Sequence, residues 1–145
     1  FVRETCFCRY YQPISVAAGL IFRNGKLLIT QRPKGSHLAG LWEFPGGKCE
    51  HGETLLECLQ REIFEELGVA VNVRTCVETL KHDYPGKTVR LSFFLCELAV
   101  GEPEGKEGQS ITWISPGQLR NYSFPEADAK LLQKLLDNED WWTGK

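Results

Sequence analysis

Three glutamates crowd one arc of a single helix, and that arc lies beside the apolar stripe of the helix. Between Thr54 and Leu67 the residues Leu55, Leu59, Ile63 and Leu67 recur every four positions, the pattern of an amphipathic helix. Thr54 and Glu57 are spaced for a capping box, and Gly68 is placed to end the helix. Glu62, Glu65 and Glu66 stand at i, i+3 and i+4. At about 100° per residue they share an arc of roughly 100° next to the stripe, where a solvated acidic face would lie opposite it. Taken alone, the three also fit an exposed face stitched by i,i+4 pairs. Carboxylates packed at the edge of a core repel one another, and a divalent cation among them relieves the repulsion. Oxygen-only ligands suit Mg²⁺ or Mn²⁺, and Arg61 can grip a carboxylate in a bidentate pair.

The rest of the chain supplies a scaffold. Ile14 to Arg23 and Lys26 to Gln31 are apolar runs around Asn24-Gly25, a strong hairpin signal. Arg32 to Leu41 reads as a loop, Trp42-Glu43-Phe44 as a short strand, and Gly46-Gly47-Lys48 as a loop. Val69 to Glu78 and Thr88 to Leu98 read as strands joined through Pro85-Gly86. A Gly- and Glu-rich loop, Ala99 to Gln109, precedes a strand from Ser110 to Ile114. Pro125 to Leu136 reads as a second helix that buries Leu131, Leu132, Leu135 and Leu136. Strands and helices interleave without a run of βα units. That predicts an α/β (α+β) fold, a mixed β-sheet sandwiched between helices.

Composition bounds the function. With 145 residues, 42% of them hydrophobic, a single domain over 1–145 is expected. A net charge of -2 argues against a long basic groove for a nucleic-acid polymer. The longest apolar stretch, Ile14 to Phe22, is too short to span a membrane. Cys6, Cys8, Cys49, Cys58, Cys76 and Cys96 are scattered with no CxxC, so reduced thiols in a cytoplasmic protein are expected. The chain opens on Phe1 and has no Met, which leads us to expect a true N-terminus upstream.

The residues before the helix change the weight of its glutamates. Gly47-x5-Glu53-x7-Arg61-Glu62-Ile63-x-Glu65-Glu66-x-Gly68-Val69 resembles the Nudix box at every defined position. Chance would produce that set in fewer than about one in a million chains of this size. Glycines let the backbone approach a metal and a phosphate, and the helix presents carboxylates to the same point. Metals bridging polyphosphate oxygens stabilise the charge that develops in phosphoryl transfer. An unliganded glutamate could orient or deprotonate a water.

Further segments resemble the MutT-type Nudix hydrolases: Gln31-Arg32-Pro33, His37, Glu43-Phe44-Pro45-Gly46-Gly47-Lys48, Gly105-Lys106-Glu107-Gly108-Gln109 and Phe124-Pro125-Glu126-Ala127-Asp128. The resemblance implies the Nudix fold and Mg²⁺-dependent hydrolysis of a nucleoside triphosphate to monophosphate and pyrophosphate, 8-oxo-dGTP above all. The protein is then expected as a monomer or weak dimer with no membrane partner. It assigns the Gly46 carbonyl, Glu62, Glu65, Glu66 and Glu107 to the metal. Glu53, Arg61, Glu65 and Glu107 would serve catalysis. Arg32, His37, Phe44, Lys48, Lys87 and Asp128 would meet the substrate. Asp128 stands where the 8-oxoguanine-specific type has asparagine, and Ala39-Gly40-Leu41-Trp42-Glu43-Phe44 is similar to the CTP pyrophosphohydrolases. A cytidine or 5-hydroxypyrimidine triphosphate is the alternative substrate. A helix-capping role is the alternative for Asp128. A Nudix-fold recognition module without catalysis is the alternative of another class; such modules usually lose glutamates that this chain keeps.

Overall fold

A ten-residue strand, β1 (Ile14–Arg23), organises the protein. We describe it from a computed structural model in which residues 13–33, 35 and 39–144 are placed. His37, Cys6 and Cys8 lie outside the described residues. β1 turns at Asn24-Gly25 into β2 (Lys26–Gln31), as the hairpin signal predicts. β3 (Trp42–Glu43) and β4 (Gly46–Lys48) follow, then helix α1 (Leu55–Leu67). A long hairpin, β5 (Ala70–Tyr84) and β6 (Lys87–Val100), precedes β7 (Ile111–Ile114). Two 3₁₀ turns, Pro116–Asn121 and Glu126–Asp128, lead into α2 (Ala129–Asp137) and α3 (Glu139–Thr143).

The strands order as β3-β2-β1-β6-β5, with β4 on β1 and β7 on β2. β1 and β6 pair in parallel and the other pairs are antiparallel, so the sheet is mixed. Side chains alternate across a strand, and β1 uses both faces. Ala17 and Ile21 pack on one side with Leu59, Ile63 and Leu67 of α1. Ala18 and Leu20 pack on the other with Leu131, Leu135 and Trp142 of α2 and α3. The three layers expected from the sequence are present. Fully burying a Leu or Ile contributes about 1.5–3 kcal/mol, so Leu59, Ile63 and Leu67, all 0% exposed, fix the pose of α1 on the sheet.

Both ends of α1 are set by the predicted signals. Thr54 Oγ1 accepts the Glu57 N–H at 3.1 Å, and Glu57 Oε1 accepts the Thr54 N–H at 3.0 Å. Gly68 closes the helix in the left-handed conformation, φ 70°. Thr54→Ala is expected to cost about 1 kcal/mol. Urea unfolding at constant m-value measures it.

The structure departs from the sequence reading in four places. Gly46–Lys48 is a strand and not a loop, pairing Ala17 with Gly47 and Ala18 with Gly46. Glycine has no strand propensity of its own, but here its missing side chain is the requirement. A Cβ on Gly46 would sit 2.0 Å from the Ala17 carbonyl oxygen. The β5–β6 ladder runs on to Tyr84 and Lys87, past the apolar pattern, because its far half is an exposed two-stranded arm. The second helix starts late. Pro125 is extended (ψ 146°), Glu126–Asp128 form a 3₁₀ turn, and only then does α2 begin. Leu131 and Leu135 are buried, while Leu132 and Leu136 are partly covered. α3 was not anticipated; it buries Trp142, whose indole N–H donates to the Leu135 carbonyl at 2.8 Å. Cys49, Cys58, Cys76 and Cys96 are free thiols; Cys58 and Cys96 are buried, whereas Cys49 is half-buried and Cys76 is exposed on the β5–β6 hairpin. No helix among the described residues is long and apolar enough to cross a membrane.

Candidate active site

The acidic arc of α1 meets the glycines of β4. A Cβ on Gly47 would lie 2.2 Å from Glu62 Oε2, so the carboxylate rests directly on the strand backbone. The Gly46 N–H donates to the Glu66 carboxylate one turn further along α1. The glycine pair thus carries two of the three helix glutamates, and any larger residue would displace them.

Glu107 arrives from the loop before β7. That loop is docked on the end of α1, because the Glu66 carbonyl accepts the Lys106 N–H at 2.9 Å and Gln109 Nε2 at 3.1 Å. Gln109 Oε1 in turn accepts the Glu107 N–H at 2.8 Å. Glu107 stands close enough to load the carboxyls of both Glu62 and Glu66. Burial pushes the Glu66 carboxyl up to about 9, and Glu62, Glu107 and Glu43 add repulsion that the Gly46 hydrogen bond offsets only in part. Burial raises Glu62 as well, with Arg61 opposing.

Arg61 is the opposite pole. Its Nε donates to Glu53 Oε2 at 2.6 Å and its Nη2 to Glu53 Oε1 at 2.9 Å, a bidentate pair. The same Nη2 donates to the Lys48 carbonyl at 3.1 Å, and Nη1 reaches Glu65 Oε1 at 3.2 Å. Held by Arg61 and by the Glu50 N–H, the Glu53 carboxyl falls to about 2. Glu53 is therefore a fixed, ionised acceptor beside Glu62 and Glu66, whose carboxyls hold their protons more tightly than usual.

The expected substrate residues divide. Arg32 Nη1 pairs with Glu43 Oε2 at 2.8 Å, so its guanidinium is already set by a carboxylate. Asp128 is 5% exposed, and burial, with Glu43 adding repulsion, pushes its carboxyl up to about 6. It stands at the N-cap of α2 but makes no side-chain capping hydrogen bond there. Phe44 is a core residue, 6% exposed, stacked on Phe124 with ring centroids 5.2 Å apart and edge-on to Phe93. Lys48 is exposed on β4 and reaches the site through its carbonyl. Lys87 is not brought to the carboxylates. It sits at the tip of the β5–β6 arm with its ammonium over the Tyr84 ring, where the extended hairpin carries it.

Glu43 is the acidic residue that the sequence reading left without a role. It is held by Arg32 and raises both Glu66 and Asp128, so it joins the two halves of the site. Nothing in its spacing signals this, because its partners are distant in the chain.

A divalent cation fits this donor set. Among the described residues, no three His, Cys, Asp or Glu side chains are gathered closely enough to hold a metal ion by themselves. The oxygens of Glu62, Glu66 and Glu107, with the Gly46 peptide beside them, are all hard donors. The like-charge load on Glu66 is the kind a cation removes.

Comparison with known proteins agrees with this geometry. Residues 17–134 match the NUDIX domain family. The 8-oxo-dGTP diphosphatase of Haemophilus influenzae is 41% identical over 86% of this chain and 92% of that protein. The CTP pyrophosphohydrolase of Escherichia coli is 37% identical over 85% of this chain and 91% of its own length. The solution structure of the E. coli ORF135 protein superposes with a TM-score of 0.76 at 35% identity, covering 88% of this chain and 91% of that one. The family match takes in β4, the whole of α1 and the loop of Glu107: the chain belongs to the Nudix family and is a hydrolase of the MutT type.

Proposed function

We propose that this chain hydrolyses 8-oxo-dGTP to its nucleoside monophosphate and pyrophosphate in the cytoplasm, with Mg²⁺ as the metal. The observation that carries the catalytic part is the seating of Glu62 and Glu66 on the Gly46–Gly47 strand, with Glu107 near enough for its charge to act on both. Hydrolases of this family use divalent metals. Here Glu62, Glu66, Glu107 and the Gly46 carbonyl would hold the ion, with Glu65 at the rim. The ion would neutralise triphosphate charge and the charge that builds on the phosphorus oxygens in the transition state.

This chain's own residues do the rest. Arg61 holds Glu53 ionised and also reaches Glu65, so that either carboxylate can accept a hydrogen bond or a proton from the attacking water. Water adds at one of the two phosphorus atoms that flank the α–β bridging oxygen, that P–O bond breaks, the departing oxygen stays with the other product, and the water's proton passes to the carboxylate. Arg32, held by Glu43, would meet the phosphates or the base, and the Lys48 ammonium would meet the triphosphate. Asp128 supplies a buried carboxyl for the base edge.

Support for an oxidised purine comes from relatives at 41% and 38% identity that are named 8-oxo-dGTP diphosphatases. The specific observation favouring a cytidine nucleotide is Asp128 itself, together with the 37% identical CTP pyrophosphohydrolase. A panel of 8-oxo-dGTP, dGTP, CTP and 5-hydroxy-dCTP, read by pyrophosphate release, decides between them. The highest kcat/KM is expected for 8-oxo-dGTP, and a cytidine nucleotide at the top would transfer the assignment.

Glu107→Gln is expected to lower kcat by about 10²-fold without unfolding the protein. Its carboxylate faces the cluster from a loop anchored by backbone and Gln109 contacts that the substitution leaves intact. A pH–rate profile identical to the parent's would make Glu107 ordinary surface charge.

A further inference from the structure

Cys49 and Cys58 take no part in the reaction above, yet they sit directly beneath it. Cys49 follows β4, half-buried, with its N–H donating to the Ser15 carbonyl at 2.9 Å. Cys58 is buried on α1, and its thiol donates to the Gly47 carbonyl at 3.5 Å. Both pack in the core cluster between sheet and helix. Cys49 lies two residues beyond Gly47, on which Glu62 rests, and Cys58 lies one turn before Glu62 with its thiol on the Gly47 carbonyl, so the two cysteines stand on facing sides of the strand–helix junction. Neither is bridged.

We propose that Cys49 and Cys58 form a dithiol–disulfide pair oxidised by hydroperoxides, and that closing the bridge lowers turnover at the adjacent carboxylate site. Cys49 is the more accessible of the two and reacts first. Its sulfur attacks a peroxide oxygen, the O–O bond breaks, and one water leaves a sulfenic acid behind. The Cys58 sulfur then attacks the Cys49 sulfur. The S–O bond breaks, and the hydroxyl departs with the Cys58 proton as a second water. The two thiols lose two hydrogens and two electrons, and hydrogen peroxide is reduced to two waters. Burial pushes the Cys58 thiol up to about 12, so Cys49 and not Cys58 is the residue that meets peroxide. Cys96 is buried in the same cluster with its thiol likewise pushed up to about 12, and its hydrogen bond goes to the Phe94 carbonyl.

The bridge reaches the site through β4. Cys58 can no longer donate to the Gly47 carbonyl once its proton is gone. Cys49 becomes tied to α1 immediately after Lys48, whose carbonyl receives Arg61. Gly47 has no slack to absorb a shift, because Glu62 rests on it. A displacement of a fraction of an ångström there is expected to cost roughly tenfold in turnover.

The test is peroxide oxidation of the whole protein, alkylation of the remaining thiols, and trypsin digestion. Cleavage after Lys48 and Arg61 releases one peptide, Cys49 to Arg61, that carries both cysteines. A bridge leaves it unalkylated and two hydrogens lighter, and this mass readout does not depend on which nucleotide is the substrate. The expected result is that peptide appearing in step with a roughly tenfold fall in turnover, both reversed by dithiothreitol. Cys49→Ser should keep its full turnover before and after peroxide. Three results would overturn the proposal: an alkylated Cys49–Arg61 peptide after oxidation, a bridge with unchanged turnover, or equal loss of activity in Cys49→Ser. Cys49→Ser is preferred to a change at Cys58, which would disturb the core.

Discussion

Glu66→Gln is expected to abolish most turnover and, without divalent metal, to make the protein more stable at alkaline pH. The loss in kcat is expected at about 10² to 10⁴, the scale of a single catalytic group or metal ligand. The stability gain follows from the carboxyl's environment. Glu66 ionises at about 9 in the folded protein, against an ordinary value of 4.5, because it is buried among Glu62, Glu107 and Glu43. A carboxyl raised in this way binds its proton more tightly folded than unfolded. Its contribution is fully present below 4.5 and is lost progressively as pH rises through about 9. Glutamine carries no charge at any of these pH values and keeps the shape. In a chelator the two proteins should melt together near pH 4, and the variant should melt increasingly higher as pH approaches 9. Saturating Mg²⁺ should favour the parent, because only an anionic ligand gains from the ion, by RT ln(1 + [L]/Kd). Calorimetric Tm values across that pH range, with and without Mg²⁺, provide the measurement. A variant with parental turnover at limiting Mg²⁺, or one that melts in parallel with the parent at every pH, would remove Glu66 from the cation site.

The same crowding explains what could be read from the chain and what could not. Local signals were strong where they act through neighbours in sequence. Asn24-Gly25, Thr54 with Glu57, Gly68 and the four-residue apolar repeat placed the first hairpin and α1 almost to the residue. The position of Glu62 and Glu66 beside the apolar stripe was legible for the same reason, since a helix fixes the angle between its own residues. Signals failed where a partner distant in the chain decides. Gly46-Gly47 reads as a break, yet the absence of Cβ atoms lets it lie as a strand between Ala17 and Glu62. The ladder from Asp83 with Thr88 to Tyr84 with Lys87 is held by backbone pairing that no apolar pattern records. Phe44 carries no mark of its own to tell a core ring from a ring exposed to a base; Phe93 and Phe124 decide it. Glu43 acquires its role only because folding places it between Glu66 and Asp128.

Asp128 carries the second large expected effect, a change of base preference. Its carboxyl makes no side-chain cap bond to α2, and burial, with the charge of nearby Glu43, pushes it up to about 6. An ionised carboxylate only accepts hydrogen bonds, whereas a protonated one also donates. Ionised, Asp128 can take the N1–H and N2–H₂ donors of a guanine or the exocyclic amine of a cytosine. Protonated, it can in addition donate to an oxo group. Asparagine at the same place donates and accepts at every pH. Asp128→Asn is therefore expected to shift the ratio of kcat/KM between 8-oxo-dGTP and cytidine nucleotides by about 1–3 kcal/mol, the scale of one buried hydrogen bond. The parent's preference should itself move with pH. Any substrate that needs the donor should lose kcat/KM as pH rises above about 6, and the dependence should vanish in the asparagine variant. Asp128→Ala should weaken the preferred base and leave the metal dependence unchanged, because Glu62, Glu66 and Glu107 keep their own contacts. If both variants retain the parent's substrate ranking and pH profile and lose only thermal stability, the base is read elsewhere, and Asp128 serves the packing of α2 alone.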